Sequence, residues 1–403
     1  MNTKYLFLIL LLFVSSFTVK TYAQGDVSAA FKFAGEQTSL LLTETEKAKA
    51  QAANASLVIP RALDKNGNLV LIPSSDWCSG FFPGELWYLY EHTKDSKWLK
   101  QAKIYTAYIE PEKNNTGTHD LGFEIYCSFG NGYRLTKDPK YKEVIIRAAR
   151  SLTKRFNPKV GAIKSWDNLK VGKYPVIIDN MMNLEMLFEA TRLSGDSAFY
   201  KIAVIHANTT LKNHFRADNS SYHVINYDPE TGKVVNKITN QGYANESAWA
   251  RGQAWGLYGY TMCYRETKNK IYLQQAEKIA KFILNDPNMP KDLIPYWDYN
   301  VPDKANQTRD VSAASVTASA LYELSTYSVN TKSYRATADV IVNNLTAYRA
   351  KSGTSKGFLL LHSTGNVPAH GEIDVPIIYS DYYYLEALTR KQRLHDHQPV
   401  IKQ

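Results

Sequence analysis

Two aspartates sit where a carboxylate is hard to place without a purpose. Asp120 is followed by Leu121-Gly122-Phe123 and Asp179 is preceded by Val176-Ile177-Ile178, so neither has a charged neighbour on that side. Uncharged surroundings disfavour the ionised form, and a pair of such carboxylates is the raw material of an acid/base site. A second concentration of chemistry is the segment Ser247-Ala248-Trp249-Ala250-Arg251-Gly252-Gln253-Ala254-Trp255-Gly256. On a helix, Trp249 and Gln253 share one face at i,i+4 and Arg251 and Trp255 share another. Two indoles beside a guanidinium suit a sugar that carries a carboxylate, because the apolar sugar face stacks on a ring while Arg forks onto the acid. The same residues also fit a buried Trp pair with Arg tied to an internal partner. Trp77 and Phe81 repeat the i,i+4 aromatic spacing, as a second wall or as core. His223 and Gln241 lie in a loop and say little by themselves.

These residues must be positioned by helices. A short turn signature recurs five times: Thr93-Lys94-Asp95-Ser96-Lys97-Trp98, Thr136-Lys137-Asp138-Pro139-Lys140-Tyr141, Ser194-Gly195-Asp196-Ser197-Ala198-Phe199, Thr267-Lys268-Asn269-Lys270-Ile271-Tyr272 and the looser Ser328 to Tyr334. Each copy offers Asp or Asn to cap a helix, then an aromatic that pins that helix to its neighbour. Segments after the signature are amphipathic, as Ile145, Ala148, Leu152 and Phe156 show; those before it, such as 180–190 and 254–263, are apolar or small nearly all round. Outer helices with one wet face thus alternate with buried inner ones. With Asp381 to Leu388 as a sixth inner helix and a helix around Phe31 to Lys49 as its outer partner, the count predicts an all-α fold, an (α/α)6 barrel of six hairpins. Loops near 55–75, 158–178, 215–247 and 290–310 are rich in Gly, Pro, Asn and Asp, with a short strand expected at Gly67 to Ile72. The inner helices begin with polar clusters, so their starts converge at one mouth. There Asp76, Asp310 and Asp381 read as N-caps.

No Pro/Gly/Ser-rich linker divides the 403 residues, and one catalytic domain is expected over 24–403, with the basic tail after Arg390 frayed. Residues 1–23 read as a secretory signal: Lys4, an apolar run from Tyr5 to Val14, and Thr21-Tyr22-Ala23 at the cleavage point. The protein is therefore expected to be exported, periplasmic or secreted, with no membrane anchor, since no Cys lies near the cleavage point. The net charge of +10 makes a polyanionic partner worth considering, and export without a recognition motif removes nucleic acid. Cys78, Cys127 and Cys263 are widely spaced and read as buried thiols. No zinc spacing, phosphate loop or GxSxG is present, so neither metal nor other cofactor is expected.

In combination, Trp77-Cys78-Ser79-Gly80-Phe81, His119-Asp120-Leu121-Gly122-Phe123, Ile178-Asp179-Asn180-Met181-Met182-Asn183, Trp249 to Trp255 and Asp381-Tyr382-Tyr383-Tyr384-Leu385-Glu386-Ala387-Leu388 resemble the unsaturated glucuronyl hydrolases, glycoside hydrolase family 88. The resemblance spans almost the whole chain and implies the same six-hairpin barrel. It implies removal of the 4,5-unsaturated uronic acid that polysaccharide lyases leave at the non-reducing end of glycosaminoglycan fragments, by hydration of the C4=C5 vinyl ether. On that precedent Asp179 protonates C4 and activates water for C5, while Asp120 holds ring hydroxyls and, by like-charge repulsion, helps keep Asp179 protonated. Trp77, Phe81, Trp166, Trp249 and Trp255 are implied as stacking walls, and His119, His223, Gln241 and Arg251 as polar contacts to substrate. Relatives that favour sulfated substrates carry Ser-x-x-Ser-x-Lys where this chain has Asn366-Val367-Pro368-Ala369-His370-Gly371, so that sulfate contact is absent or rebuilt.

Three other readings use the same features. An unsaturated rhamnogalacturonyl hydrolase would share barrel and chemistry but take pectin fragments. A polysaccharide lyase on the same toroid would need Tyr or His as base, and an exported glycan-binding protein would need no catalysis. The Trp249 to Trp255 block favours the glucuronyl group.

Overall fold

The computed structural model describes residues 18–402, with side chains from Val27 onward. The expected leader, residues 1–23, lies for the most part outside them. Among the described residues no helix is long and apolar enough to cross a membrane.

The chain opens with α1 (Thr18–Gln51) and an antiparallel hairpin of β1 (Ile59–Leu63) and β2 (Leu69–Ile72), the latter where a strand was expected. There follow α2 (Phe81–Thr93) and α3 (Ser96–Ile109), then a π-helical segment Gly122–Gly130 that runs into α4 (Asn131–Thr136), and α5 (Pro139–Thr153). After β3 (Phe156–Asn157), β4 (Ala162–Ile163) and β5 (Pro175–Ile177) come α6 (Asn180–Ser194) and α7 (Ser197–Asn213). Strands β6 (Val224–Tyr227) and β7 (Val234–Ile238) precede α8 (Ala250–Thr267) and α9 (Lys270–Asn285). The last hairpins are α10 (Val311–Leu324) with α11 (Thr331–Leu345), and α12 (Ile378–His395), which packs on α1.

Helices α2, π/α4, α6, α8, α10 and α12 form the inner ring, each packed against the next, with α12 closing onto α2. The chain is an (α/α)6 barrel. Four elbows share one physical device. Their last inner-helix turn ends on a left-handed residue, Lys94, Lys137, Gly195 or Lys268, whose N–H returns to a helix carbonyl. The next residue, Asp95, Asp138, Asp196 or Asn269, then accepts a backbone N–H of the outer helix. The aromatic that follows is buried at Trp98, Phe199 and Tyr272 and half-buried at Tyr141.

Two expectations are corrected. Of the three aspartates read as caps, Asp310 caps α10 by accepting the N–H of Ser312, and Asp76 accepts the Cys78 N–H at 2.9 Å in the turn before α2 while pairing with Arg61; Asp381 does not cap, since it lies within α12 and accepts Leu359 and Leu360 N–H. The tail is not frayed. Helix α12 continues to His395 because its cations have buried partners: Arg390 meets Glu323 at 3.2 Å and Glu386 at 3.4 Å, and Arg393 donates to the Val400 carbonyl at 2.9 Å and pairs with Glu91. Cys78, Cys127 and Cys263 are free and buried.

Candidate active site

The loop sheet sets the centre of the site. Strands β5, β6 and β7 pair antiparallel, with Ile177 opposite Val224, and the ladder extends one step because Ile178 N–H donates to the His223 carbonyl at 3.0 Å. Asp179 therefore leaves the sheet beside the residue at which β6 begins. Nε2 of His223 stands 3.7 Å from Oδ2 of Asp179. The backbone N–H groups of Asn240 and Gln241 both donate to His223 Nδ1, each at 3.2 Å. Because Nδ1 is an acceptor, the ring's proton is on Nε2, facing the carboxylate. Burial and then the Arg251 charge push the His223 pKa well down, so the ring is neutral.

Asp120 arrives from the start of the second inner helix. Its Oδ2 accepts from the Thr118 hydroxyl at 3.3 Å, and Nε2 of His119 stands 3.3 Å from its Oδ1. Both carboxylates keep some exposure, 13% of the side chain at Asp120 and 10% at Asp179. Burial pushes each pKa up to about 7. At Asp179 the guanidinium of Arg251 opposes that rise, the charge of Asp120 adds to it, and the indole N–H of Trp255 lowers it. One of the pair can therefore hold a proton at neutral pH while the other carries charge, the condition for an acid/base role.

The residues expected to line the cleft divide. Trp77 and Trp166 are half-buried, with Trp166 edge-on to His223 at 5.8 Å, and Gln241 is half-buried with its Nε2 near the Gly365 carbonyl at 3.4 Å. These three keep part of their surface exposed. Four of the residues expected to touch substrate are buried in this structure. Phe81 is fully buried beneath Trp77, packed among Phe123, Tyr379, Tyr382 and Tyr383. Trp249 is 2% exposed, covered by His223 at 4.6 Å and by the Arg251 guanidinium at 4.5 Å. Trp255 is fully buried, and its N–H lowers the Asp179 pKa without making a regular hydrogen bond. His119 is fully buried behind Asp120, its pKa pushed down to about 3 by burial and then by Arg155.

Arg251 is the largest departure. Its Nη1 donates to Asp310 Oδ2 at 2.9 Å and to the Thr364 carbonyl at 2.7 Å, and its Nη2 donates to the Gly365 carbonyl at 2.6 Å. The fork is occupied within the protein. It ties the start of α8 to the start of α10 and to the loop that holds Gln241, while its charge still acts on Asp179. The reading of an Arg bound to an internal partner is the one the structure supports.

Two buried polar residues near the carboxylates had no role in the sequence reading. Asn183, one turn after Asp179, accepts the Phe123 N–H at 2.9 Å; Glu124, one turn after Asp120, is buried with neither oxygen hydrogen-bonded. The i,i+4 spacing from each aspartate was the available signal. Among the described residues no group of three or more His, Cys, Asp and Glu side chains could hold a metal ion.

Comparison with known proteins agrees with this geometry. Residues 64–387 match Glycosyl Hydrolase Family 88. The chain is 53% identical over 327 residues to an unsaturated glucuronyl hydrolase of Formosa agariphila, covering 80% of this chain and 82% of that protein. It is 34% identical over 340 residues to an unsaturated chondroitin disaccharide hydrolase of Streptococcus pyogenes serotype M1, covering 82% and 85%. Among solved structures, an unsaturated glucuronyl hydrolase specific for heparin superposes with a TM-score of 0.86 at 46% identity, covering 92% of this chain and 98% of that one.

Proposed function

The chain belongs to glycosyl hydrolase family 88, and on that premise we propose that it is an unsaturated glucuronyl hydrolase acting on lyase-generated glycosaminoglycan oligosaccharides. The observation that carries the reading is the pair Asp120 and Asp179, both keeping some exposure, both with pKa pushed up to about 7, at the starts of adjacent inner helices. Protonated Asp179 gives its proton to C4 of the unsaturated ring, and charge develops at C5 next to the ring oxygen. Water adds its oxygen to C5 and returns a proton to the Asp179 carboxylate. The hemiketal at C5 opens to a ketone, and the hemiacetal left at C1 releases the remaining sugar. Anionic Asp120 holds ring hydroxyls and repels a second anion at Asp179. Trp77 and Trp166 flank the ring, Gln241 supplies a polar contact, and neutral His223 directs Nε2–H at the reacting carboxylate.

Its substrate is what a polysaccharide lyase produces, so the protein works downstream of such a lyase. The leader-like segment Lys4 to Ala23 supports export to the periplasm or beyond, with one catalytic domain following it.

The test is a panel of unsaturated disaccharides from heparin, chondroitin, hyaluronan and pectin. Hydration removes the far-ultraviolet absorbance of the double bond, whereas a lyase would create it from intact polymer. Turnover of heparin or chondroitin disaccharides is expected. Consumption of pectin fragments alone would move the assignment to the rhamnogalacturonyl group, and binding without turnover at every pH would leave a binding protein.

A further inference from the structure

We propose that Asn183 is a positioning residue: its buried amide joins the turn after Asp120 to the turn after Asp179 and sets which of the two carboxylates carries the proton. The inference rests on the functional reading above and adds a residue to it. Asn183 is fully buried on α6, one helical turn beyond Asp179, so the two side chains leave the same face. Its Oδ1 accepts the Phe123 N–H at 2.9 Å, at the start of the π-helical segment that follows Asp120. With Oδ1 acting as acceptor, the opposite end of the amide is Nδ2, a donor. That nitrogen is buried and has no regular hydrogen-bond partner. The group it biases is Asp120, whose anion it favours.

The packing leaves little freedom in this arrangement. A Cβ on Gly122 would fall 2.5 Å from the Asn183 Cα and 2.6 Å from its Oδ1, so the π-helix approaches α6 only because residue 122 lacks a side chain. The first turn after Asp120 is thus docked directly onto the turn after Asp179, with the Asn183 amide as the joint.

The charges around the pair define what the joint does. Facing Asp120 are the Thr118 hydroxyl and Arg155, which favour its anion, Asp76, which opposes it, and neutral His119. Glu124 follows one turn later, its pKa pushed well up by burial and then by Asp120, so it is uncharged and does not compete. Facing Asp179 are Arg251, Trp255, neutral His223 and Asp120 itself. Removing the Asn183 donor makes Asp120 bind a proton more readily. A neutral Asp120 no longer repels the Asp179 anion, and Asp179 loses its proton at lower pH.

Asn183→Leu tests this by two readouts, the pH profile of kcat/KM on an unsaturated disaccharide and the carboxyl-carbon NMR titration of Asp179. Both should move to lower pH by about one unit, and the shift should vanish in an Asp120→Asn background. A folded Asn183→Leu enzyme with an unmoved alkaline limb, or a shift that survives undiminished in Asp120→Asn, would reduce Asn183 to packing and overturn the inference. If the Leu variant does not fold, Asn183→Ser is judged by the same two outcomes. A wild type that turns over no unsaturated disaccharide removes the functional reading and the inference with it; turnover with an unmoved limb removes the inference alone.

Discussion

Asp179 Oδ2 and His223 Nε2 stand 3.7 Å apart, buried, and neither makes a regular hydrogen bond to another group. The histidine is a neutral donor whose tautomer is fixed by two backbone N–H groups on its other nitrogen. It faces the carboxylate without adding the positive charge that would strip its proton. Burial then holds the Asp179 pKa at about 7. The group is a proton donor below that value, so turnover should fall as pH rises through about 7. Asp120→Asn removes a repelling anion and should move the limb to lower pH, besides slowing turnover. Asp179→Asn should retain fold and binding and lose turnover at every pH, and a rate profile across pH 5 to 9, roughly two units either side of the limb, checks all three enzymes.

Arg251 and Asp310 form a buried pair, with side chains 1% and 0% exposed. Removing one partner of such a pair leaves an uncompensated charge and costs about 3–5 kcal/mol. Arg251→Ala should therefore lower the unfolding midpoint strongly and should loosen the loop at Thr364 and Gly365, whose carbonyls it holds. Asp310→Asn likewise strands the guanidinium charge and should also lower the midpoint, although Asn can still accept from Arg251 and cap α10. Thermal denaturation decides the matter: an Arg251→Ala enzyme with native stability and only a raised KM would restore Arg251 to direct substrate binding.

Trp77 and Phe81 look alike in the sequence, four residues apart on one side of a helix start, and the structure gives them different work. Trp77→Ala should raise KM for disaccharide by about tenfold or more, the loss of one stacking face, with little change in stability. Phe81→Ala should cost about 3–5 kcal/mol of stability, because its ring is enclosed by those of Phe123, Tyr379, Tyr382 and Tyr383. Chemical denaturation and steady-state kinetics on the two variants separate these effects; equal stability loss in both would erase the distinction.

How far the sequence could be read follows from the range of the forces involved. The elbows were legible because caps and left-handed turns are local: Asp95 needs only Lys97 two residues on. Asp120 and Asp179 were legible because their neighbours carry no charge. The partner of Arg251 was not, since Asp310 lies 59 residues away and Thr364 lies 113 away, and a helical pattern tells that a face is buried without telling against what. Aromatic spacing failed likewise at Phe81, Trp249 and Trp255, where i,i+4 periodicity is the same for a wall and for a core. The tail after Arg390 looked solvated by composition alone; its cations are matched by Glu323 of α10 and Glu91 of α2, besides Glu386 one turn back in α12.

His119, His206 and His214 are fully buried, and burial pushes each pKa down to about 3. In the unfolded chain they titrate near 6.5, so below that pH the unfolded state binds protons that the native state refuses. Each histidine thus contributes stability that is present above about 6.5 and lost as pH falls toward 3. Burial has the opposite effect on Asp120, Asp179, Glu85 and Glu185, whose pKa values near 7 favour the native state at low pH, so the wild-type curve mixes the two. A variant separates them. The His206 Nδ1 accepts the Ile163 N–H at 3.0 Å, and Asn can place its Oδ1 at the same point. His206→Asn should be less stable than wild type at pH 8, and the gap should narrow as pH falls through 6 to 4, because the variant has no buried imidazole to protonate on unfolding. Urea midpoints measured at each pH check this, and a gap that stays constant or widens on acidification would show that His206 is not held neutral.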